Sequence, residues 1–196
     1  MSSAPLDLLA LTASIREWAA QLGFQQVGIT DIDLTEDALR LDAYLAAGYH
    51  GEMEYMASHG TMRSRPDELV PGTLRVISVR MDYLPEDTQM AQMLAQPEQA
   101  YVSRYALGRD YHKLIRKRLQ QLAEKISQEI GPFGHRAFVD SAPVLEKPLA
   151  RKAGLGWVGK NTLILNRKAG SWFFLGELLV DLPLPIDQPN DRDHCG

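Results

Sequence analysis

The sequence predicts an α/β (α+β) domain in which helices cover a central sheet. Three observations support this fold class. Segments with apolar residues at helical spacing alternate with short runs that are rich in β-branched residues. Glycine and proline separate most of these segments. The chain has 196 residues, of which 45% are hydrophobic and 23% charged, and this is typical of one globular domain.

In the first half of the chain, helices are predicted over residues 6–22 and 36–47, and strands over 24–30 and 74–83. Gly23 and Gly48 are placed to end the two helices. Between the second helix and the second strand, a short helix and a loop that carries Arg63 are expected. Residues 85–100 are polar and methionine-rich, which indicates an exposed excursion.

The second half begins with the strongest helix pattern of the chain, over residues 111–130. Asp110 is placed to cap this helix, and a Gly-Pro pair ends it. Strands are predicted over 136–139, 162–165 and 172–182. We expect one domain over residues 1–183, followed by a linker over 184–196 that is rich in Pro, Asp and Asn.

Composition limits the possible partners and the compartment. The net charge of −4 gives no global basic field, so a nucleic-acid contact needs a local patch, such as the basic start of helix 111–130. The N-terminus lacks the pattern of a signal peptide, and no apolar run approaches the ~20 residues of a membrane span. The single cysteine, Cys195, excludes an internal disulfide. A cytoplasmic protein without membrane contacts is therefore expected.

The stretch from 154 to 160, GLGWVGK, matches two nucleotide-binding motifs, the Rossmann G-x-G-x-x-G and the P-loop G-x-x-x-x-G-K. Both motifs require a strand before the loop and a helix after it. Here Leu145, Leu149 and Ala153 predict a helix before the loop, and a strand-like run follows it. Asn161 also replaces the Ser or Thr of a P-loop. Neither nucleotide motif is therefore predicted, and a helix end with a tight turn remains.

Asp140 allows two interpretations. It ends the run before Ser141-Ala142-Pro143, where a helix is predicted to open, so its carboxylate could cap that helix. Alternatively it is a general acid, which requires surroundings that let the carboxyl keep its proton, such as a large apolar cofactor. Local sequence favours the cap.

Three segments, taken together, resemble the epoxyqueuosine reductase family. They read YALGRDYH (105–112), VDSAPVLEKPLARKAGLGWVGKN (139–161) and GSWFFLGELLVDL (170–182), and the final HCG also fits. The combination DSAP…E…AGLGWxGKN is long enough to be specific. The resemblance implies a nitroreductase-like or cobalamin-processing-like fold. It also implies an enzyme that reduces the epoxide of epoxyqueuosine at the wobble position of tRNA to queuosine, using cobalamin and two [4Fe-4S] clusters.

By this resemblance, Asp140 is the proton donor that protonates the epoxide-derived oxygen. The resemblance further assigns cofactor-binding residues, which are Arg63, Ser103, Tyr105, Asp140, Gly156, Gly159, Lys160 and Asn161. Cys195 matches the first ligand of the family's first cluster motif, and the remaining cluster ligands are absent from the sequence. An external electron donor, a tRNA substrate and a monomeric state are expected, and this chain alone is expected to be inactive.

Two alternatives stay open at this point. The chain could be a cobalamin-binding or cobalamin-processing module without catalysis of its own. It could also be a flavin protein of the nitroreductase type. Asp140 in its DSAP motif and the terminal Cys-Gly favour the reductase over both.

Overall fold

The computed structural model describes residues 6–85 and 88–189. Its helices are α1 (Leu8–Gln21), α2 (Thr35–Ala46), α3 (Pro66–Leu69), α4 (Met90–Leu94), α5 (Tyr111–Ile130) and α6 (Glu146–Lys152). Its strands are β1 (Gln26–Thr30), β2 (Arg75–Asp82), β3 (His135–Phe138), β4 (Trp157–Val158), β5 (Ile164–Leu165) and β6 (Phe173–Val180). Short 3₁₀ segments lie at Glu54–Met56, Gly60–Arg63 and Arg104–Ala106. The chain is a mixed helix and sheet domain, as its sequence predicts.

The main sheet has four strands in the order β1-β2-β6-β3, and every neighbouring pair is antiparallel. The two eight-residue strands, β2 and β6, form its centre. One row across the sheet joins Gly28, Ser78, Glu177 and Phe138, which are direct partners in the register. Because side chains in one row point to the same side of a sheet, Ser78 and Glu177 share a face.

The first face of the sheet packs against α1 and α5. Leu119, Leu122 and Ile126 on α5 are completely buried and belong to one core with strand residues of the same face. The stripe of apolar residues that predicts this helix therefore becomes its packing surface. Gly176 on β6 allows α5 to approach, since a Cβ there would lie 2.8 Å from a methyl carbon of Ile115.

The opposite face, which carries Ser78 and Glu177, packs against α6 and the segment that follows it. At Gly28 a Cβ would lie 1.9 Å from the carbonyl oxygen of Ala153, so the end of α6 lies directly on the strand. Leu149 on α6 is completely buried among Val76 and other residues of this face. The close approach brings the start of α6 over the centre of the sheet.

The predicted limits of α5 are confirmed at both ends, and Asp110 caps it by accepting from the backbone N–H of His112. The helix predicted to open at residues 141–143 begins later, at Glu146, so that prediction is wrong.

The segment after β6 packs on the domain. Leu184 is buried in the core between the sheet and helices α1 and α5, and the Asp187 carboxylate accepts a hydrogen bond from the backbone N–H of Ile29. Cys195 lies outside the described residues. Within the part of the chain that is described, no helix is long and apolar enough to cross a membrane.

Candidate active site

Asp140 lies just beyond the end of β3, in the turn that leads to α6. Its φ angle is 56°, a left-handed conformation that few residues other than glycine adopt. Its side chain does not cap α6, whose N-cap position is Leu145 without a side-chain hydrogen bond. Instead the carboxyl is 59% exposed and points to the first turn of α5. The capping interpretation of Asp140 is therefore wrong, because the helix starts six residues later.

Two neighbouring residues of α5 hold the Asp140 carboxyl. The Tyr111 hydroxyl donates to Oδ2 of Asp140 over 3.1 Å, and Nε2 of His112 lies 3.0 Å from the same oxygen. Nδ1 of His112 lies 2.9 Å from Oδ1 of Asp110. An imidazolium donates from both ring nitrogens and so matches two carboxylates. The Asp140 hydrogen bond is the main reason that the pKa of His112 is raised.

A pair of buried carboxyls lies behind Asp140. The backbone N–H of Asp140 donates to Oε1 of Glu146 over 2.5 Å. Burial raises the pKa of Glu146, and the hydrogen bond from the Asp140 backbone opposes this rise. Burial, followed by the charge of Glu146, raises the pKa of Glu177 well above its usual range. Among the described residues, neither oxygen of Glu177 has a group that would donate a hydrogen bond to it.

Apolar and aromatic side chains form the floor of the site beside Asp140. The ring of Tyr111 stacks on Phe174 with centroids 3.9 Å apart and planes 8° apart. Burial, and then the Asp140 carboxylate, raise the pKa of Tyr111, so its hydroxyl stays a donor. A cavity of about 170 Å³ includes Asp140, Lys147, Leu163 and these two rings in its lining. The same two rings also line a larger cavity of about 630 Å³.

The glycine loop has a structural explanation within the chain. It leads into a hairpin of β4 and β5, in which Gly159 donates to the carbonyl of Leu163. A Cβ at Gly156 would lie 2.1 Å from the Leu165 carbonyl oxygen, and one at Gly159 would lie 2.6 Å from a methyl carbon of Leu165. The order helix, loop and strand is confirmed, so neither nucleotide motif is present.

The polar edge of this hairpin is exposed. Oδ1 of Asn161 accepts from the backbone N–H of Leu163, and Lys160 is also at the surface. Lys147 donates to the carbonyl of Thr162 and so connects the tip of the hairpin to α6. The structure thus brings the hairpin to the rim of the Asp140 cavity, where Leu163 is a lining residue.

The other predicted cofactor residues are distributed around the site. Arg63 donates to the carbonyl oxygens of Tyr55 and Met56, and its own carbonyl accepts from Leu145 at the start of α6. Ser103 is exposed and precedes the 3₁₀ segment at Arg104–Ala106. Tyr105 lines the larger cavity. Arg63 therefore supports the loop before α6, whereas Tyr105 faces the space beside the stacked rings.

Sequence reasoning missed Tyr111, His112, Glu146 and Glu177 as site residues. For Glu177 there was a usable signal, because it is the only charged residue in the apolar run WFFLGELLV. Tyr111 and His112 lie in the quoted YALGRDYH motif, but local sequence does not indicate that they reach Asp140. In residues 6–85 and 88–189, no three His, Cys, Asp or Glu side chains are placed to hold a metal ion.

The fold and this site define a class of protein, which is a mixed α/β domain with an exposed carboxyl, that of Asp140, beside an apolar floor. Comparison with known proteins identifies the family. Residues 63–141 match the family model for epoxyqueuosine reductase QueG, DUF1730. The chain is 72% identical to an epoxyqueuosine reductase of Pseudomonas aeruginosa over 98% of its length, and 62% identical to one of Escherichia coli over 99%. The chain belongs to the epoxyqueuosine reductase family and spans about half the length of these relatives, 53% and 51%.

Solved structures show the same fold. An epoxyqueuosine reductase with an epoxyqueuosine-modified tRNA stem loop superposes with a TM-score of 0.82 at 23% identity, covering 97% of this chain and 50% of that one. The reductase of Streptococcus thermophilus gives a TM-score of 0.74 at 25% identity, covering 92% and 48%. A reductive dehalogenase studied for B12-dependent dehalogenation gives 0.58 at 17% identity, covering 98% and 22%.

Proposed function

We propose that this chain is the part of an epoxyqueuosine reductase that carries the proton donor, and that the whole protein reduces the epoxide of epoxyqueuosine in tRNA to queuosine. The observation that carries the proposal is the position of Asp140. Its exposed carboxyl opens into a cavity, accepts a hydrogen bond from the Tyr111 hydroxyl and lies within hydrogen-bond distance of the His112 ring. The similarity to named reductases supports the substrate class.

The residues at the site fit a large flat cofactor such as cobalamin. The two adjoining cavities have volumes of about 170 and 630 Å³ and share the stacked rings of Tyr111 and Phe174. Leu163 and Tyr105 are exposed apolar or aromatic side chains that line one cavity each. Such a surface suits the apolar face of a ring system. When bound, cobalamin would supply the electrons for the reduction.

The remaining predicted cofactor contacts belong to the same proposal. Gly156 and Gly159 keep the hairpin narrow, and Lys160 and Asn161 lie at its exposed edge. Arg63 and Ser103 are proposed as further contacts, on the loop before α6 and beside Tyr105, in addition to the structural role of Arg63.

In this proposal the protein's own residues handle the proton. Asp140 donates a proton to the epoxide oxygen as the first C–O bond breaks, so no free alkoxide forms. A second proton, given after Asp140 is protonated again, lets the oxygen leave as water, and the two electrons of the reduction form the carbon–carbon double bond. His112 lies within hydrogen-bond distance of the same carboxyl oxygen, so it can return a proton to Asp140 from solvent. Tyr111 donates to that oxygen and keeps the carboxyl oriented toward the cavity. In a Bacillus subtilis relative, a catalytic aspartate loop is described as swung out of the active site.

The whole protein's requirements extend beyond this chain. The electron donor, the tRNA contacts and the two [4Fe-4S] clusters, with Cys195 as a first ligand, are proposed for the complete reductase. A catalytic domain over residues 1–183, a linker over 184–196, a cytoplasmic location and a monomeric state are proposed with it.

Replacement of Asp140 tests the function. In the full-length protein, loaded with cobalamin and supplied with reductant and epoxyqueuosine tRNA, Asp140→Asn should lower kcat by about 10²–10⁴-fold, because the amide cannot donate an acidic proton. Cobalamin should remain bound, as measured by its visible absorbance. Asp42→Asn, at an exposed carboxyl of α2, is the matched control and should keep full turnover.

Two results would contradict the proposal. Unchanged product formation by Asp140→Asn would remove the acid role. If the original protein and Asp140→Asn both bind cobalamin but neither forms product, the alternative of a cobalamin-binding module without its own catalysis would be favoured.

A further inference from the structure

Glu177 is an unusual residue for the centre of a sheet. It is completely buried in the middle of β6, between Ser78 of β2 and Phe138 of β3. Within the described residues, both of its carboxyl oxygens and the Ser78 hydroxyl lack a hydrogen-bond partner. A buried polar group without a partner is costly, and a buried charge costs more. The proposed reaction, as given above, assigns no task to this residue.

The carboxyl of Glu146 can offset the free-energy cost of burying Glu177. Glu177 is the register partner of Phe138, two residues before Asp140, and the backbone N–H of Asp140 donates to Glu146, the first residue of α6. The two carboxyls therefore lie close together, and the charge of Glu146 contributes to the raised pKa of Glu177. An ionised carboxyl can only accept hydrogen bonds, so two adjacent carboxylates repel and leave each other unsatisfied. One proton turns one of them into a donor, and the pair then has a hydrogen bond and a single negative charge.

The position of each carboxyl indicates where the proton lies. Glu146 already accepts the backbone N–H of Asp140 on Oε1, which favours its ionised form. The Glu177 carboxyl is completely buried and has no such donor. His112 also favours charge on Glu146, whereas the Asp140 carboxylate opposes it, and Tyr111 interacts with Glu146 as well.

We propose that Glu146 and Glu177 share one proton, and that this singly charged pair positions Asp140. The protonated Glu177 carboxyl donates to Glu146, and Glu146 holds the backbone N–H of Asp140. A residue with a φ of 56° needs such support, because this conformation is disfavoured for a side chain with a Cβ. The inference rests on the proposed function for the importance of Asp140, and it adds two positioning residues to the site.

The shared proton can be observed directly in this chain by ¹³C NMR of labelled glutamate carboxyls. One glutamate resonance should keep the chemical shift of a protonated acid at about pH 7, where ordinary glutamates are ionised. This resonance should disappear in Glu177→Gln. If every glutamate carboxyl ionises in the ordinary range, the proposal is overturned.

Hydrogen exchange of the Asp140 amide tests the positioning role. Glu177→Gln keeps a neutral donor of the same shape, so exchange should stay within about twofold of the original rate, as it should in Glu124→Gln, an exposed control on α5. Glu177→Leu removes the donor, and exchange should become at least about tenfold faster. Equal rates in Glu177→Gln and Glu177→Leu would refute the role. If Glu177→Leu does not fold, the carboxyl titration still decides whether the pair holds one proton, and exchange more than about twofold faster in Glu177→Gln would contradict the positioning role.

Turnover of the full-length protein separates this inference from the proposed function. Glu177→Leu should lower kcat by about 10–100-fold with little change in KM, because a misplaced acid slows chemistry without weakening binding. Glu177→Gln should restore most of the loss. If Asp140→Asn keeps full turnover, the proposed function fails, whereas the NMR and exchange results still stand or fall independently.

Discussion

The two faces of the central sheet differ in how they use buried residues. The face covered by α1 and α5 is lined by apolar side chains, such as Ile77 and Leu178. The face covered by α6 buries Ser78, Arg80 and Glu177 as well as apolar residues. Polar burial lowers stability unless partners compensate for it. The first face therefore contributes mainly to the stability of the fold. The second face loses some stability through its buried polar groups, one of which, Glu177, lies behind Asp140.

A substitution that creates a cavity in the core under the apolar face should give the largest loss of stability. Leu119→Ala removes a completely buried side chain of α5, and the free energy of unfolding should fall by about 2–5 kcal/mol. Leu114→Ala on the same helix is the control, because that side chain is 39% exposed, and its effect should be about 0.5 kcal/mol. Urea denaturation measures both. Equal losses would mean that α5 does not pack as described.

Adding one methyl group to each face compares their rigidity. In Gly28→Ala the new Cβ would meet a backbone carbonyl oxygen at 1.9 Å, so the end of α6 must move. In Gly176→Ala the nearest atom is a side-chain methyl carbon at 2.8 Å, which can turn away. The Gly28 variant should lose about 3 kcal/mol and the Gly176 variant about 1 kcal/mol. Similar thermal shifts in the two variants would contradict this difference.

The pH dependence of stability should distinguish the face that carries Glu177. Because burial raises the pKa of Glu177 in the folded state, the native protein keeps a proton that the unfolded chain releases above the ordinary value of 4.5. As the pH rises above that value, the original protein should lose stability relative to Glu177→Gln, by up to about 1.4 kcal/mol per pH unit. Denaturant unfolding from about pH 4 to 8 measures the gap. A gap that is independent of pH would mean that Glu177 ionises normally.

The smallest effect is expected at the surface of the site. The pKa of His112 is raised in the folded state, mainly by Asp140, so His112 stabilises the fold below its ordinary value of 6.5. This contribution should disappear as the pH rises through the raised pKa. His112→Gln should therefore lose well under ~1 kcal/mol at low pH and nothing at high pH, because the pair is partly exposed. A loss that grows with pH would have the wrong sign.

Much of the fold follows from local sequence. The apolar stripe of α5 and its Asp110 cap predict both ends of that helix. The order of elements around the glycine loop is also predicted correctly, which excludes the nucleotide motifs. The start of α6 was predicted too early because Ser141-Ala142-Pro143 resembles a helix opening, whereas the chain forms a turn there with Asp140 at positive φ.

The sequence by itself determined the long helices, most of the strands and the family resemblance that singled out Asp140, because periodicity and motifs are local properties. Only the tertiary structure decided which groups surround that acid. His112 is 28 residues from Asp140 in the chain, and Glu177 lies on another strand. They meet because the register of β3 and β6 and the close packing of α6 on Gly28 bring distant segments together. Local spacing carries no information about such contacts, and the buried Glu177 opposes the apolar pattern of its own strand.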